Sequence, residues 1–192
     1  MVRRTDTRKR MLDSAAELFH SQGYHATGLT QLTSAVGAPK GSLYFHFPGG
    51  KEQLAAEAVR LSGERLCDVL RSLATAAPDP AAAVDLVVDT LAASLGDSDF
   101  ERGCPLATIA LDAAGESEAI RSACDDGYAS WQDALAGYFT QQGLPAARAA
   151  SLATVVLSSI EGALLFAKIR RDVTPLRTVA AHLHTTVERE FS

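Results

Sequence analysis

The chain has 192 residues, 47% of them apolar and 6% aromatic, with 18 Lys and Arg against 23 Asp and Glu, 3 Cys and 14 Gly. That length suits one compact unit or two small ones, and the modest, mixed charge argues against a disordered chain. Cys67, Cys104 and Cys124 are odd in number and widely spaced, with no CxxC pair, which argues against a disulfide scaffold and a zinc module.

The residues from Met1 to Arg10 are basic but lead into a patterned segment and not into the apolar core of a signal peptide, so the expected location is cytoplasmic. Leu12, Ala15, Ala16 and Phe19 then recur at helical spacing from Thr5 to Gln22, and Gly23 stops that helix. Thr27 suits the cap of a short second helix with Leu29, Leu32 and Val36 on one face, ended by Gly37. Pro39 suits the first turn of a third helix whose inward face is Leu43 and Phe47. Two short helices joined by a tight Gly-containing turn form the helix-turn-helix pattern.

Pro48, Gly49 and Gly50 break the chain before a long helix from Lys51 to about Ala76. Helices follow over about Ala81–Leu95, Pro105–Ala113, Glu116–Gln142, Ala146–Arg171 and Leu176–Glu190, with Gly127 and Gly137 as weak points of the long one. No alternating β-branched run competes with them, and the expectation is an all-α protein of about nine helices. The boundary falls at residue 50: a helix-turn-helix DNA-binding domain over 1–50, and a helical ligand-binding and dimerisation domain over 51–192.

Charge follows the same division. Residues 1–51 hold seven Lys and Arg against Asp6, Asp13 and Glu17, a net +4, while the remainder carries 11 basic and 20 acidic residues, a net −9. A basic head on an acidic body is the pattern of a nucleic-acid-binding module on a non-binding one. In a helix-turn-helix the second helix enters the major groove, which places Pro39, Lys40, Gly41, Ser42 and Tyr44 at DNA. Lys40 suits a phosphate or a guanine, Gly41 lets backbone approach, Ser42 suits a base edge or phosphate, and Tyr44 offers its ring to a thymine methyl. His46 and Lys51 lie just beyond as phosphate ligands, Thr27 and Thr30 are placed for backbone phosphates, and Arg3, Arg4 and Arg8 form an arm for further contacts. Tyr44, Phe45 and Phe47 equally suit the core of a small domain, with Lys40 and Lys51 as solvated surface.

Arg8 to Leu54 resembles the DNA-binding domain of the TetR family of bacterial repressors. The resemblance is carried by Glu17-Leu18-Phe19, Gly23-Tyr24-His25-Ala26-Thr27, the Gly37 turn, the run Lys40-Gly41-Ser42-Leu43-Tyr44-Phe45-His46-Phe47, and Lys51-Glu52-Gln53-Leu54. It implies that Lys40, Gly41, Ser42, Tyr44, His46 and Lys51 lie at the operator. Gly28, Thr30 and Thr33 depart from the family's commoner choices, which bears on base specificity and not on fold. Pro48-Gly49-Gly50-Lys51 and Gly103-Cys104-Pro105-Leu106 also resemble a subgroup associated with drug-resistance operons.

The helix from Ala146 to Arg171 is apolar nearly all round, with Leu152, Val155, Ser159, Gly162, Phe166 and Ile169 on one stripe and Val156, Ile160, Ala163 and Ala167 on another. Its stretch from Ala149 to Ala167 reaches the length of a membrane span with Glu161 as its single charge. Ser151, Thr154, Ser158 and Ser159 lower its hydrophobicity, and no membrane partner is expected. Such a helix must be covered on both sides, by its own core and by a partner's copy, or wholly by its own chain. The homodimer reading places Leu152, Val155, Ser159, Gly162, Ala163, Leu183 and Val187 at the interface, in agreement with the family, whose last two helices build the dimer.

A pocket for a small apolar or amphipathic inducer would draw on Phe100, Cys104, Leu106, Ile109, Tyr128, Trp131, Gln132, Phe139, Leu165 and Phe166, which suit core packing as well. Glu161 fits either a paired interface or a polar group in that pocket. Cys104 precedes Pro105 at a helix start, where a thiolate is favoured, and it suits a redox switch or a packed small side chain. His182 and His184 lie two apart on a helix and point apart, against a shared metal. No catalytic triad, paired-carboxylate or phosphate-loop pattern can be assembled, so neither enzyme activity nor a cofactor or metal is expected. The expected function is a homodimeric repressor on a palindromic operator, released by a small molecule. The alternative is an all-α carrier or enzyme with a non-functional head.

Overall fold

A computed structural model describes residues 4–192, with side chains from Asp6 onward. Among the described residues the chain forms nine helices and no strand: α1 (Arg4–Gln22), α2 (Leu29–Ser34), α3 (Lys40–His46), α4 (Gly50–Ala76), α5 (Pro80–Asp97), α6 (Pro105–Ala113), α7 (Glu118–Gln141), α8 (Ala146–Arg170) and α9 (Thr174–Glu190). The all-α expectation holds, and local chemistry explains the ends. Asp79 caps α5 by accepting the Ala82 N–H at 2.8 Å, with Pro80 at the first position, where its missing N–H costs nothing. Ser117 accepts the Ile120 N–H at 3.2 Å, so α7 starts at Glu118 and not at Glu116.

The cap expected of Thr27 is not made. Gly28 is the N-cap of α2 with no side-chain bond. Thr27 is fully buried and its hydroxyl donates to the Gly23 carbonyl at 2.7 Å, so it closes the preceding turn from within.

The chain divides into two compact units. One comprises the residues through Glu64 with Pro105–Gly127; the other comprises Arg65–Cys104 with Tyr128–Ser192. This partition differs from a boundary at residue 50, because α6 and the start of α7 share the unit of α1–α3. Within that unit α1 packs on α6 and on α2, and α2 on α3. Met11, Ala15 and Phe19 of α1, Leu32 of α2, and Leu43 and Phe47 at α3 form its buried side, each large apolar side chain contributing ~1.5–3 kcal/mol.

In the second unit α9 packs on α5 and α8. His184 Nδ1 of α9 lies 2.7 Å from Asp85 Oδ2 of α5. Arg148 of α8 holds Glu190 of α9 through a paired contact, Nε to Oε2 at 2.7 Å. One side of α8, including Leu152, Val156, Ile160, Ala163, Leu164 and Ala167, is buried here. By length and composition α8 is long and apolar enough to cross a membrane.

The expected weak points of α7 do not break it. Gly127 is where α7 and α6 meet closely: a Cβ at that position would stand 2.5 Å from Cδ2 of Leu106, itself fully buried. Gly137 meets nothing within 4 Å. The same substitution should therefore act with opposite sign at the two sites. Gly127→Ala should lower stability by about 1–3 kcal/mol through overpacking, whereas Gly137→Ala should leave it unchanged or raise it by about 0.5–1 kcal/mol through helix propensity, as read by thermal or urea unfolding.

Candidate functional site

The rotation of α3 is set by its buried residues. Leu43 and Phe47 are 1% and 0% exposed, and at the pitch of an α-helix the side opposite them belongs to Phe45, with Gly41 one turn before it. Tyr44 and Phe45 are 54% and 58% exposed, and Pro39, Lys40 and Gly41 are exposed at the helix start, with Ser42 half-buried. Thr30 is exposed on α2. His46 is half-buried, edge-on to the Phe45 ring at 5.0 Å. The Tyr44 ring leans back over Gly50, which has φ +66° and where a Cβ would stand 3.2 Å from the Tyr44 Cε1. The expected reading helix thus presents Pro39, Lys40, Gly41, Ser42 and Tyr44 on one accessible surface. Phe45, which suited the core of a small domain as an alternative, is outward too, because the same helical arithmetic that puts Leu43 and Phe47 inside turns it to solvent.

Other expected contacts are spent elsewhere. Thr27 is buried, which removes it from the phosphate contacts. Arg8 is part of α1 and not of an arm: its guanidinium lies 2.5 Å from Glu57 Oε2 and 4.8 Å from the centre of the Phe47 ring. Arg3 and the Arg4 side chain lie outside the described residues. Arg10 donates to the Val36 carbonyl at 3.1 Å, holding the end of the second helix. The Lys51 amine sits 4.3 Å from the centre of the Tyr24 ring, and burial lowers its pKa against the opposing pull of Asp112.

In the second unit Cys104, Tyr128, Trp131 and Glu161 come together. The Tyr128 hydroxyl donates to Glu161 Oε2 at 3.3 Å and lies 3.6 Å from the Cys104 sulfur, and the Trp131 ring stands edge-on to Tyr128 at 5.3 Å. Burial holds the Tyr128 hydroxyl well above the usual phenol range, with the Cys104 and Glu161 charges adding to it. Burial also raises the Glu161 carboxyl, against hydrogen bonds from Cys104 and Tyr128 that pull it down. Glu161 is therefore a polar group of this cluster and not part of the exposed side of α8.

The structure disperses the remaining residues expected at the pocket. Leu106 and Ile109 belong to the other compact unit, where both are buried. Phe139 is fully buried against the Phe191 ring at 5.9 Å. Gln132 donates to the Thr154 hydroxyl at 3.1 Å, and Phe100 lies beneath the Arg171 guanidinium at 5.8 Å. Leu165 and Phe166 are 46% and 57% exposed on the outer side of α8. A cleft of about 410 Å³ in this unit is lined instead by residues of α4 and α7, among them Leu70, Arg71, Asp133, Leu135 and Tyr138. Sequence periodicity does not distinguish such a lining from core.

The expected interface set divides as well. Leu152, Ala163, Leu183 and Val187 are buried in their own chain, because α8 and α9 turn those positions toward each other and toward α5. Val155, Ser159 and Gly162 lie on the other side of α8, on a stripe continued by Leu165, Phe166 and Ile169, the last 70% exposed.

Residues 11–58 match the family described as bacterial regulatory proteins, tetR family, and residues 80–182 match the C-terminal domain of LmrA/YxaF-like transcriptional regulators. The chain belongs to the TetR family of bacterial transcriptional regulators. It is 35% identical over 99% of its length to the HTH-type transcriptional regulator YxaF of Bacillus subtilis, covering 100% of that protein. It is also 35% identical to the HTH-type transcriptional regulator LmrA of the same organism, over 96% of this chain and 98% of that one. A TetR transcriptional regulator from Legionella pneumophila shares the fold, with TM-score 0.82, 22% identity and coverage of 94% and 97% of the two chains. The TetR-family regulator CifR, solved as a cysteine mutant with 26-bp double-strand operator DNA, superposes with TM-score 0.78 at 24% identity, over 93% and 95% of the chains.

In this TetR-family chain the Glu161 environment has a pH consequence. A carboxyl raised by folding stabilises the fold fully below its unfolded pKa, and that contribution is lost as pH rises through the folded value. Glu161→Gln, neutral throughout, should therefore unfold at a higher temperature than the parent at neutral pH. The difference should close as pH falls through the raised pKa toward the ordinary 4.5, as followed by calorimetry across that range.

Proposed function

We propose that this TetR-family regulator is a cytoplasmic, ligand-responsive repressor without enzyme activity, which binds a palindromic operator as a homodimer and is released by a small apolar or amphipathic inducer. The observation that carries the reading is the outward side of α3. Lys40, Gly41, Ser42, Tyr44 and Phe45 project from a short helix held by Leu43 and Phe47, with its first residues accessible as a major-groove reader requires. Pro39 and Thr30 flank that surface, His46 lies at its edge for a phosphate, and Lys51 reaches one by leaving the Tyr24 ring. Residues 1–50 supply the reading surface, and residues 51–192 supply the ligand site and the dimer.

The exposed stripe of α8 supports the dimer. Val155, Gly162, Leu165, Phe166 and Ile169 form a continuous apolar side on a helix whose other side is already buried. A second copy of the same helix covers it, and Gly162, where a Cβ would meet nothing within 4 Å, permits close approach. Two heads on one dimer then read half-sites about 34–36 Å apart or a multiple of that spacing. The α4–α7 cleft, with Leu70, Leu135, Tyr138, Arg71 and Asp133 on its wall, offers an apolar, aromatic and polar lining for an amphipathic inducer. A ligand releases DNA only if it binds the two states of the dimer with unequal affinity.

Lys40→Ala with Tyr44→Ala should weaken binding to an operator duplex selected from random DNA by the parent protein. The expected loss is ~1–3 kcal/mol per base contact removed, and the salt slope should fall by about one for a lost phosphate contact. Fold and mass should be unchanged, and undiminished affinity in a fluorescence-anisotropy titration would take α3 out of the reading. Phe166→Glu with Ile169→Glu should yield a folded monomer by light scattering, with operator affinity lost alongside the dimer. A dimer that persists would move the interface off α8.

A further inference from the structure

The turn from Gly23 to Thr27, which leads from α1 into α2, is closed from two sides. On the inside, Gly23 N donates to the Phe19 carbonyl at 3.0 Å, Thr27 N to the Tyr24 carbonyl at 3.3 Å, and the Thr27 hydroxyl to the Gly23 carbonyl at 2.7 Å. On the outside stands Asp112 of α6, whose Oδ2 accepts the His25 backbone N–H at 2.8 Å. Gly23 has φ +81°, and a Cβ there would stand 2.9 Å from that same Oδ2, so the missing side chain is what admits the carboxylate.

Neighbouring groups reinforce the contact. His25 Nε2 lies 3.4 Å from Glu116 Oε2, and Ser117 donates to Glu52 Oε1 at 2.5 Å, tying the start of α7 to α4. All of these residues belong to the compact unit that also holds α2 and α3, and α6 packs along α1.

We infer that Asp112 is a positioning residue for operator binding: its hydrogen bond to the His25 N–H sets the turn from which α2 departs, and with α2 the direction of α3. The inference rests on the DNA-binding function proposed above and extends it to a residue 66 positions beyond the end of α3 at His46 in the chain. A backbone N–H bonded to a carboxylate is held more strongly than one bonded to a neutral acceptor. Because α2 and α3 are only 6 and 7 residues long, a small rotation at the turn displaces every side chain that α3 offers to base edges. Phosphate contacts depend on charge and reach and tolerate such a rotation better.

The test compares Asp112→Ala, Asp112→Asn and Gly23→Ala with the parent, each as the full chain, on an operator duplex selected by the parent and on an unrelated duplex. Asp112→Ala should bind the operator about tenfold more weakly, which is ~1.4 kcal/mol, while binding to the unrelated duplex and the helical circular-dichroism spectrum stay as in the parent. Asp112→Asn keeps an oxygen acceptor for the His25 N–H and should restore affinity to within about threefold of the parent, with hydrogen exchange of the His25 amide slowed as in the parent. Gly23→Ala, which strains the turn at φ +81° and drives a methyl group onto the carboxylate, should weaken operator binding at least as much as Asp112→Ala does. The inference is overturned if Asp112→Ala binds the operator as the parent does, or if Asp112→Asn is as weak as Asp112→Ala while its His25 amide remains protected. A parent that selects no sequence at all would overturn the proposed function itself, which separates the two failures.

Discussion

Burial of Leu43 and Phe47 sets the rotation of α3, and the outer surface of the head depends on that rotation. A helix of two turns has no length to spare: two positions one turn apart, both driven out of water, leave the rest of the circumference to solvent or to DNA. Lys40, Gly41, Tyr44 and Phe45 are therefore outside for the same reason that Leu43 and Phe47 are inside. Tyr44 is further steered by Gly50, whose bare backbone gives the ring a surface to rest on. The Pro-Gly-Gly-Lys break thus does more than end α3, since its second glycine shapes the exposed side of that helix while Lys51 turns to the Tyr24 ring.

The head also depends on a segment far from it in the chain. α6 and the start of α7 share its compact unit and hold it through polar residues: Asp112 at the His25 backbone N–H, and Ser117 at the Glu52 side chain. Gly63, Gly127 and Leu106 supply the apolar counterpart, where small residues let α4, α6 and α7 approach closely. α4 and α7 each contribute residues to both units, while the remaining change of unit, from Cys104 to Pro105, falls where the loop after α5 enters α6.

In the second unit the governing fact is that α8 is apolar around its circumference. Its own chain covers the side with Leu152, Val156, Ile160 and Ala163, and leaves Val155, Phe166 and Ile169 to water. The one acid within this helix, Glu161, is reconciled with its surroundings by the Tyr128 hydroxyl and the Cys104 thiol. A buried carboxyl held by neutral donors keeps a raised pKa, whereas Asp172, held by the Thr174 backbone and hydroxyl in an exposed turn, is lowered.

Much of this protein was legible in its residues alone. Helix positions follow from periods of 3.6 and from Gly and Pro stops, which are local, so the segments were recoverable without knowing what they pack against. The helix-turn-helix and its accessible Lys40, Gly41 and Ser42 follow from the same local pattern. Tertiary structure decided what depends on neighbours distant in the chain. Thr27 looks like a cap or a phosphate ligand until the Gly23 carbonyl takes its hydroxyl. Leu152 and Val155 are equivalent by composition until α5 and α9 cover one and not the other. Asp112 carries no local signal that sets it apart from the other acids of α6 and α7, and only the folded chain brings it 2.8 Å from the His25 amide. Periodicity reports which side of a helix is apolar; which partner meets that side, and which polar atom finds a hydrogen bond, depends on contacts between residues that local sequence cannot relate.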